Sequence, residues 1–176
     1  IKNILDSIAA GNTPTENDIV RLFRARGDDV GLICHAADKL RKTINGDRVT
    51  YVVNRNINYT NVCYFKCQFC AFSKDKLSEN LRGRPYDISL EEIQRRTTEG
   101  WQRGATEVCM QGGIHPDYDG NTYIEILDAV RAAQPDMHIH AFSPLEIWQG
   151  AATIKKPLQD YLQLLKEHGL GTLPGT

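Results

Sequence analysis

The chain has 176 residues, 41% of them hydrophobic and 24% charged, which is ordinary globular composition with enough apolar material for one core. The formal net charge of -1 offers no global basic field to nucleic acid or to an anionic membrane. No apolar run approaches the roughly 18 residues needed to span a bilayer, and Ile1-Lys2-Asn3-Ile4-Leu5 lacks the basic region, apolar run and small-residue cleavage site of a secretory signal. Three of the five cysteines, Cys63, Cys67 and Cys70, fall within eight residues. A disulfide framework would spread and pair its cysteines, and Cys67 and Cys70 are too close for an easy bridge. The expectation is a reducing compartment, the cytoplasm, with thiolates bound to metal.

Residues 1–48 read as a helical extension. Thr13-Pro14-Thr15-Glu16 is a start signal, with Thr13 as N-cap, Pro14 at the first helical position and Glu16 three residues after the cap. Ile19, Leu22 and Phe23 follow at helical spacing, and Gly27 ends the run. A further helix carries Val30, Ile33, Ala37 and Leu40 and closes before Asn45-Gly46; within it Cys34 is expected to be buried and His35 to face solvent.

Residues 49–176 read as strand, loop and helix repeated about three times. Residues 49–59 are rich in β-branched and aromatic side chains and form the first strand. The cysteine loop follows, to about Pro85. Ser89 caps the next helix and Glu92 completes a capping box; Leu90, Ile93, Thr97 and Trp101 mark its buried stripe. Residues 105–111 form a second strand broken by Gly112-Gly113, residues 122–133 a helix, and residues 136–142 a third strand ending at Ser143-Pro144. A helical stretch with Leu158, Tyr161, Leu162 and Leu165 stops at His168-Gly169, and Leu170 to Leu173 begin a fourth strand.

This order is the βα pattern of a parallel sheet in the α/β class. Special residues just after the strands suggest a barrel with its site on the C-terminal face, and a complete barrel needs roughly 250 residues. The expectation is therefore about the N-terminal half of a (β/α) TIM-type barrel. The strand faces sharpen it. Asn54, Asn56 and Asn58 share one face, Glu107, Cys109 and Gln111 another, and His138 and His140 a third; Val108, Met110, Met137 and Ile139 point the opposite way. A polar lining inside a barrel implies a polar ligand, whereas a solvated sheet face fits poorly with parallel strands covered on both sides.

Structural zinc wants four ligands, commonly as two pairs, and here a local trio stands without a nearby fourth unless Cys34, Cys109 or His115 arrives by tertiary folding. A ferredoxin-type cluster wants four thiolates, with four residues between the first two in the plant-type pattern. A four-iron cluster held by three thiolates leaves one iron open to a small molecule. A non-enzymatic zinc module remains the alternative of another class.

The pattern Cys-x3-Cys-x2-Cys over Cys63, Cys67 and Cys70, with aromatic Phe69 just before the last, resembles the radical SAM superfamily. The resemblance implies that these three cysteines hold a [4Fe-4S] cluster, that its open iron binds S-adenosyl-L-methionine (SAM), and that Phe69 lies at the SAM site. An electron from the cluster then cleaves SAM to methionine and a 5'-deoxyadenosyl radical. Gln111-Gly112-Gly113 resembles the Gly-rich motif that meets the SAM amino group; the acidic residue that often follows is here Ile114. Glu146 is a candidate SAM or substrate contact, with a solvated first-turn Glu as the equal alternative.

Residues 54–63, Gln111 to Pro116, His140 to Glu146 and Gly171 to Thr176 together resemble the tyrosine-using subunit family of FO synthase. That resemblance implies a transferase that couples the 4-hydroxybenzyl group of L-tyrosine to 5-amino-6-(D-ribitylamino)uracil in deazaflavin cofactor biosynthesis. It also implies an electron donor and a partner FO synthase subunit or fused domain. Asn56 and Asn58 are expected to touch substrate, and His115 and His140 are catalytic candidates, with structural hydrogen bonding at least as strong a reading for both histidines. The futalosine-pathway enzymes of menaquinone biosynthesis share the Asn-rich strand and the cysteine loop and are the alternative within the superfamily.

Overall fold

The computed structural model describes residues 1–65, 67, 70, 72 and 84–175. The chain divides into two compact units, Ile1–Tyr51 and Val52–Thr176. Phe69 and most of residues 66–83 lie outside the described residues, as does Thr176.

The first unit holds three helices, α1 (Lys2–Ala9), α2 (Glu16–Phe23) and α3 (Asp28–Asn45). The α2 cap is Thr15, not Thr13. Thr15 Oγ1 accepts from Asp18 N at 3.2 Å and the Asp18 carboxylate accepts from Thr15 N at 3.1 Å, so the box closes two residues later than expected. Helix α2 stops at Phe23, and Gly27, at φ +59°, is the N-cap of α3 rather than the terminus of α2. Cys34 is exposed, contrary to expectation, because α3 buries none of its residues.

The second unit is built on three parallel strands, β1 (Asn54–Asn58), β2 (Glu107–Gln111) and β3 (His138–Ala141), in the order β1-β2-β3. Helices α4 (Leu90–Gln102), α5 (Gly120–Ala133), α6 (Pro144–Thr153) and α7 (Leu158–Glu167) complete it. The alternation decides which face they cover. Ile57, Val108, Met110, Ile139 and Ala141 are all completely buried, in one core with Ile93, Leu127, Val130, Tyr161 and Leu165. Fully burying each aliphatic side chain is worth about 1.5–3 kcal/mol, which holds the register against a one-residue slip that would turn the asparagines inward.

Several expectations need correction. The first strand is five residues long, Asn54–Asn58, and Val49, Tyr51, Val52 and Val53 are exposed. In α4, Ser89 does accept from Glu92 N, but the Glu92 carboxylate turns to Arg95 and Arg96 instead of closing a box. That pairing holds its acid at about 2, well below the usual carboxylate range. Gly100, not Trp101, completes the buried stripe, since a Cβ at Gly100 would stand 2.9 Å from the Cβ of Arg55. Helix α6 was not separately expected, although Ser143-Pro144-Leu145-Glu146 carries its signal: Ser143 is the cap, Pro144 the first residue, and Glu146 closes the box. The fourth strand is present as one parallel bridge between His140 and Thr172.

The helical layer is pinned by buried polar groups as well as by apolar area. Tyr161 Oη donates to Gly120 O at 2.8 Å inside the core. Tyr161→Phe keeps the ring and leaves that carbonyl without its donor. It is expected to lower stability by about 1–2 kcal/mol, read as a lower urea midpoint at unchanged m-value.

Candidate active site

The cysteine segment leaves the C-terminal end of β1 and is tied to two other parts of the chain. Thr60 Oγ1 donates to Tyr86 O at 2.8 Å, Asn61 Oδ1 accepts from Tyr86 N at 2.8 Å, and Ile88 N donates to Tyr59 O at 2.9 Å. These bonds join the start of the segment to its return. On the other side, Gly113 N donates to Thr60 O at 2.9 Å and Tyr64 N to Ile114 O at 3.1 Å. The Gly-Gly turn after β2 is thereby stitched to the residues that carry Cys63.

The stitching creates a cleft of about 370 Å³ at the C-terminal ends of β1 and β2. Cys63, Cys67 and Cys70 all line it, as do Gln111, Gly112 and Gly113. Asn56 and Asn58 line its β1 side, joined by Asn56 Nδ2 donating to Asn58 Oδ1 at 2.8 Å, with Asn58 Nδ2 donating to Gln111 O at 3.1 Å. Cys70 N donates to Cys67 O at 3.0 Å. Among the described residues no group of three His, Cys, Asp or Glu side chains is gathered closely enough to hold a metal ion. Three thiols line one cleft beside two residues that carry no side chain. The glycines matter for that shape: a Cβ on Gly112 would stand 2.3 Å from the Tyr59 ring, and one on Gly113 would stand 2.2 Å from Val62 O.

Glu146 does not line the cleft. It is 1% exposed, whereas both readings of it from sequence would leave it accessible. Tyr59 Oη and Gly112 N donate to Oε1, the latter at 2.9 Å, while Ser143 N and Ser143 Oγ donate to Oε2 at 2.7 and 2.6 Å. Burial pushes its pKa up, against the lowering effect of these donors. A raised folded-state value means that this group favours folding most at low pH. That contribution is lost as pH rises past the ordinary carboxylate range and through the raised value. Burial thus disfavours the charged form of this side chain, and its four donors partly offset that.

The two histidines take different places. His115 stacks on Tyr118 with ring centroids 4.7 Å apart, and its Nδ1 accepts from Asp117 N at 3.1 Å. His140 lies on the polar face of β3, with Nδ1 2.6 Å from Thr172 Oγ1; the same hydroxyl is 2.9 Å from His138 Nε2. Neither ring lines the cleft. Along the polar face the register sets Asn54, Glu107 and His138 in one row and Asn56, Cys109 and His140 in the next. Thr60, Asn61 and Thr172 were not singled out in the sequence. The bonds from their side chains to Tyr86, His138 and His140 span 25 to 34 residues, which no local signal predicts.

Residues 57–174 match the model of the Radical SAM superfamily. The FO synthase of Streptomyces coelicolor is 43% identical over 162 residues, covering 92% of this chain and 18% of that protein. The 5-amino-6-(D-ribitylamino)uracil–L-tyrosine 4-hydroxyphenyl transferase of Methanothermobacter thermautotrophicus is 38% identical over 162 residues, covering 92% of this chain and 43% of that protein. The chain thus spans less than half the length of these curated relatives. Among solved structures, methylornithine synthase (PylB) aligns with TM-score 0.62 at 19% identity over 98% of this chain and 58% of its own. The hydrogenase maturase HydG from Carboxydothermus hydrogenoformans aligns with TM-score 0.66 at 19% identity over 98% of this chain and 37% of its own. These likenesses place the sheet and its helices in a partial radical SAM TIM-type fold. No helix among the described residues is long and apolar enough to cross a membrane. Superfamily members use a [4Fe-4S] cluster and SAM, and the match runs from Ile57, near the end of β1, to Pro174, so the chain belongs to the Radical SAM superfamily.

Proposed function

We propose that this chain forms part of a radical SAM transferase that couples the 4-hydroxybenzyl group of L-tyrosine to 5-amino-6-(D-ribitylamino)uracil. The gathering of Cys63, Cys67 and Cys70 with the Gly112-Gly113 turn around one cleft carries the reading. The two curated relatives, FO synthase and the 4-hydroxyphenyl transferase, supply its substrates. The three cysteines would hold the [4Fe-4S] cluster, which supplies the electron that cleaves SAM to a carbon radical.

The chain's own residues prepare the site. Glycine at 112 and 113 lets backbone form the wall, so a ligand's amino and carboxylate groups can meet peptide groups directly. Asn58 is held in place by Gln111 O, and Asn56 by Asn58. That leaves the Asn56 carbonyl oxygen as an acceptor for a ligand N–H or O–H, which suits an amino acid or a ribityl chain. His115 and His140 have structural partners outside the cleft, Tyr118 and Asp117 N for the first and Thr172 for the second. The finer setting is a reducing cytoplasm with an electron donor and a second FO synthase subunit or fused domain.

The test uses the full-length protein, reconstituted anaerobically. About four irons per chain are expected, and tyrosine, the ribitylaminouracil, SAM and a reductant should yield 5'-deoxyadenosine with a coupled product. Cys67→Ala is expected to abolish both the cluster absorbance and deoxyadenosine formation. Retention of both in that variant would overturn the ligand assignment; product from futalosine-type substrates alone would move the chain to the menaquinone branch.

A further inference from the structure

We infer that Glu146 is a positioning residue that holds Gly112 and, through the Gly112-Gly113 turn, sets the place of Cys63, without itself touching a ligand. The inference rests on the cleft being the cofactor site, but its geometry stands without a bound group. A carboxylate has about four acceptor sites, and all four donors to Glu146 come from the protein: Tyr59 Oη and Gly112 N on one oxygen, Ser143 N and Ser143 Oγ on the other. Little acceptor capacity remains for SAM or substrate.

Those donors come from three strand ends. Tyr59 follows β1, Gly112 follows β2, and Ser143 follows β3. One carboxylate therefore fixes the relative heights of all three at the rim of the sheet. The next links lead to the thiols. Gly112 is followed by Gly113, whose N–H donates to Thr60 O at 2.9 Å and whose Cα packs so near that a Cβ would stand 2.9 Å from Cys63 Cβ. Ile114 then accepts from Tyr64 N at 3.1 Å, on the far side of Cys63. A shift of Gly112 has nowhere to go except into the segment from Thr60 to Tyr64.

The neighbourhood is also forced, as expected of a site held for its position. Phe142, immediately before the Ser143 cap, has φ +65°. That conformation is costly for a bulky residue. Its ring is fully buried, edge-on to Tyr59 and Tyr123, and its N–H donates to Met110 O at 3.0 Å. The turn that delivers Ser143 and Glu146 is thus locked from both sides. An ionised carboxylate buried here would be poor design for stability alone, since apolar replacements of buried charges are often neutral or better.

The experiment compares the unaltered full-length protein with Glu146→Ala, Glu146→Gln and Tyr59→Phe. Two readouts need no cofactor: hydrogen exchange at the Gly113 and Tyr64 amides, and the alkylation rate of Cys63 relative to exposed Cys34 in the apo protein. A third is KM for SAM against kcat. Glu146→Ala is expected to speed exchange at both amides at least tenfold, to raise Cys63 alkylation several-fold, and to raise KM for SAM. Glu146→Gln keeps an oxygen for Tyr59 and Gly112 and should recover most of the loss; Tyr59→Phe should fall between. Unchanged exchange and alkylation in Glu146→Ala would overturn the inference. So would a loss spread evenly over the amides of β1, β2 and β3, which is the signature of general destabilisation. If the unaltered protein bound no cluster, the reading of the cleft would fail, while the two apo readouts would still decide the role of Glu146.

Discussion

Gly113→Ala is expected to uncouple the cysteine segment from the sheet and to cost the proposed SAM cleavage on the order of a hundredfold. The added methyl would lie 2.2 Å from Val62 O and 2.9 Å from Cys63 Cβ. Val62 is buried and its carbonyl is backbone, so no side-chain rotation can relieve the contact. The bond from Gly113 N to Thr60 O, at 2.9 Å, resists retreat on the other side. Overpacking of this kind costs about 1–3 kcal/mol, and a site that needs its groups within roughly 0.5 Å loses function sooner than fold. Iron per chain after reconstitution and deoxyadenosine per minute are the measurements. Gly31→Ala is the control: nothing lies within 4 Å of its added Cβ, and in the interior of α3 it should add about 0.5–1 kcal/mol. Parental iron content and rate in Gly113→Ala would remove the glycine from the argument.

The second large effect is expected at Arg131, on stability. Its Nη1 donates to Pro135 O at 2.7 Å and to Met137 O at 2.8 Å, and its Nη2 donates to Gly169 O at 2.6 Å. One guanidinium therefore joins the end of α5, the entry to β3 and the turn after α7. Gly169 is itself required there: it has φ +99°, and a Cβ would stand 2.1 Å from Arg131 Nε. That turn delivers Thr172 to its bridge with His140. Arg131→Met removes three charge-assisted bonds and should cost about 2–4 kcal/mol in a urea melt. Arg131→Lys should recover only part of this, because a single ammonium lacks the planar fork that spans three carbonyls. A midpoint in Arg131→Met equal to the parent would show that solvent replaces the guanidinium without loss.

The parallel sheet could be read from the sequence because alternation is a local property. Ile57, Val108, Met110 and Ile139 point inward as their spacing requires, and the asparagines and histidines opposite them do not. Strand length was less legible. Residues 49–53 have the composition of a strand, but β-propensity expresses fit to a neighbouring surface, and among the described residues that stretch is exposed. Caps were ambiguous where two frames both satisfied the rule. Thr13 has Glu16 three residues on, Thr15 has Asp18, and folding selects the second. Glu146 was misplaced for a deeper reason. Its first-turn position says wet surface, whereas its burial depends on Tyr59, 87 residues earlier, and on Gly112. The three cysteines announced themselves through local density alone, but the bonds that bring them to the glycine turn are long-range.

Those long-range bonds also set an order of events in biosynthesis. The segment that carries Cys63 is held by Tyr86 and Ile88 behind it and by Gly113 and Ile114 well downstream. A nascent chain that has emerged only as far as Cys70 has all three thiols but none of the partners that gather them. Iron or oxidant reaching it then would meet three unsupported cysteines and give adventitious complexes or disulfides. The proposed cofactor can be inserted correctly only after β2 and its glycine turn have been made and have closed on the loop. A peptide ending at Cys70 is therefore expected to load the proposed cluster poorly, and a chain that includes β2 and its glycine turn to load it well.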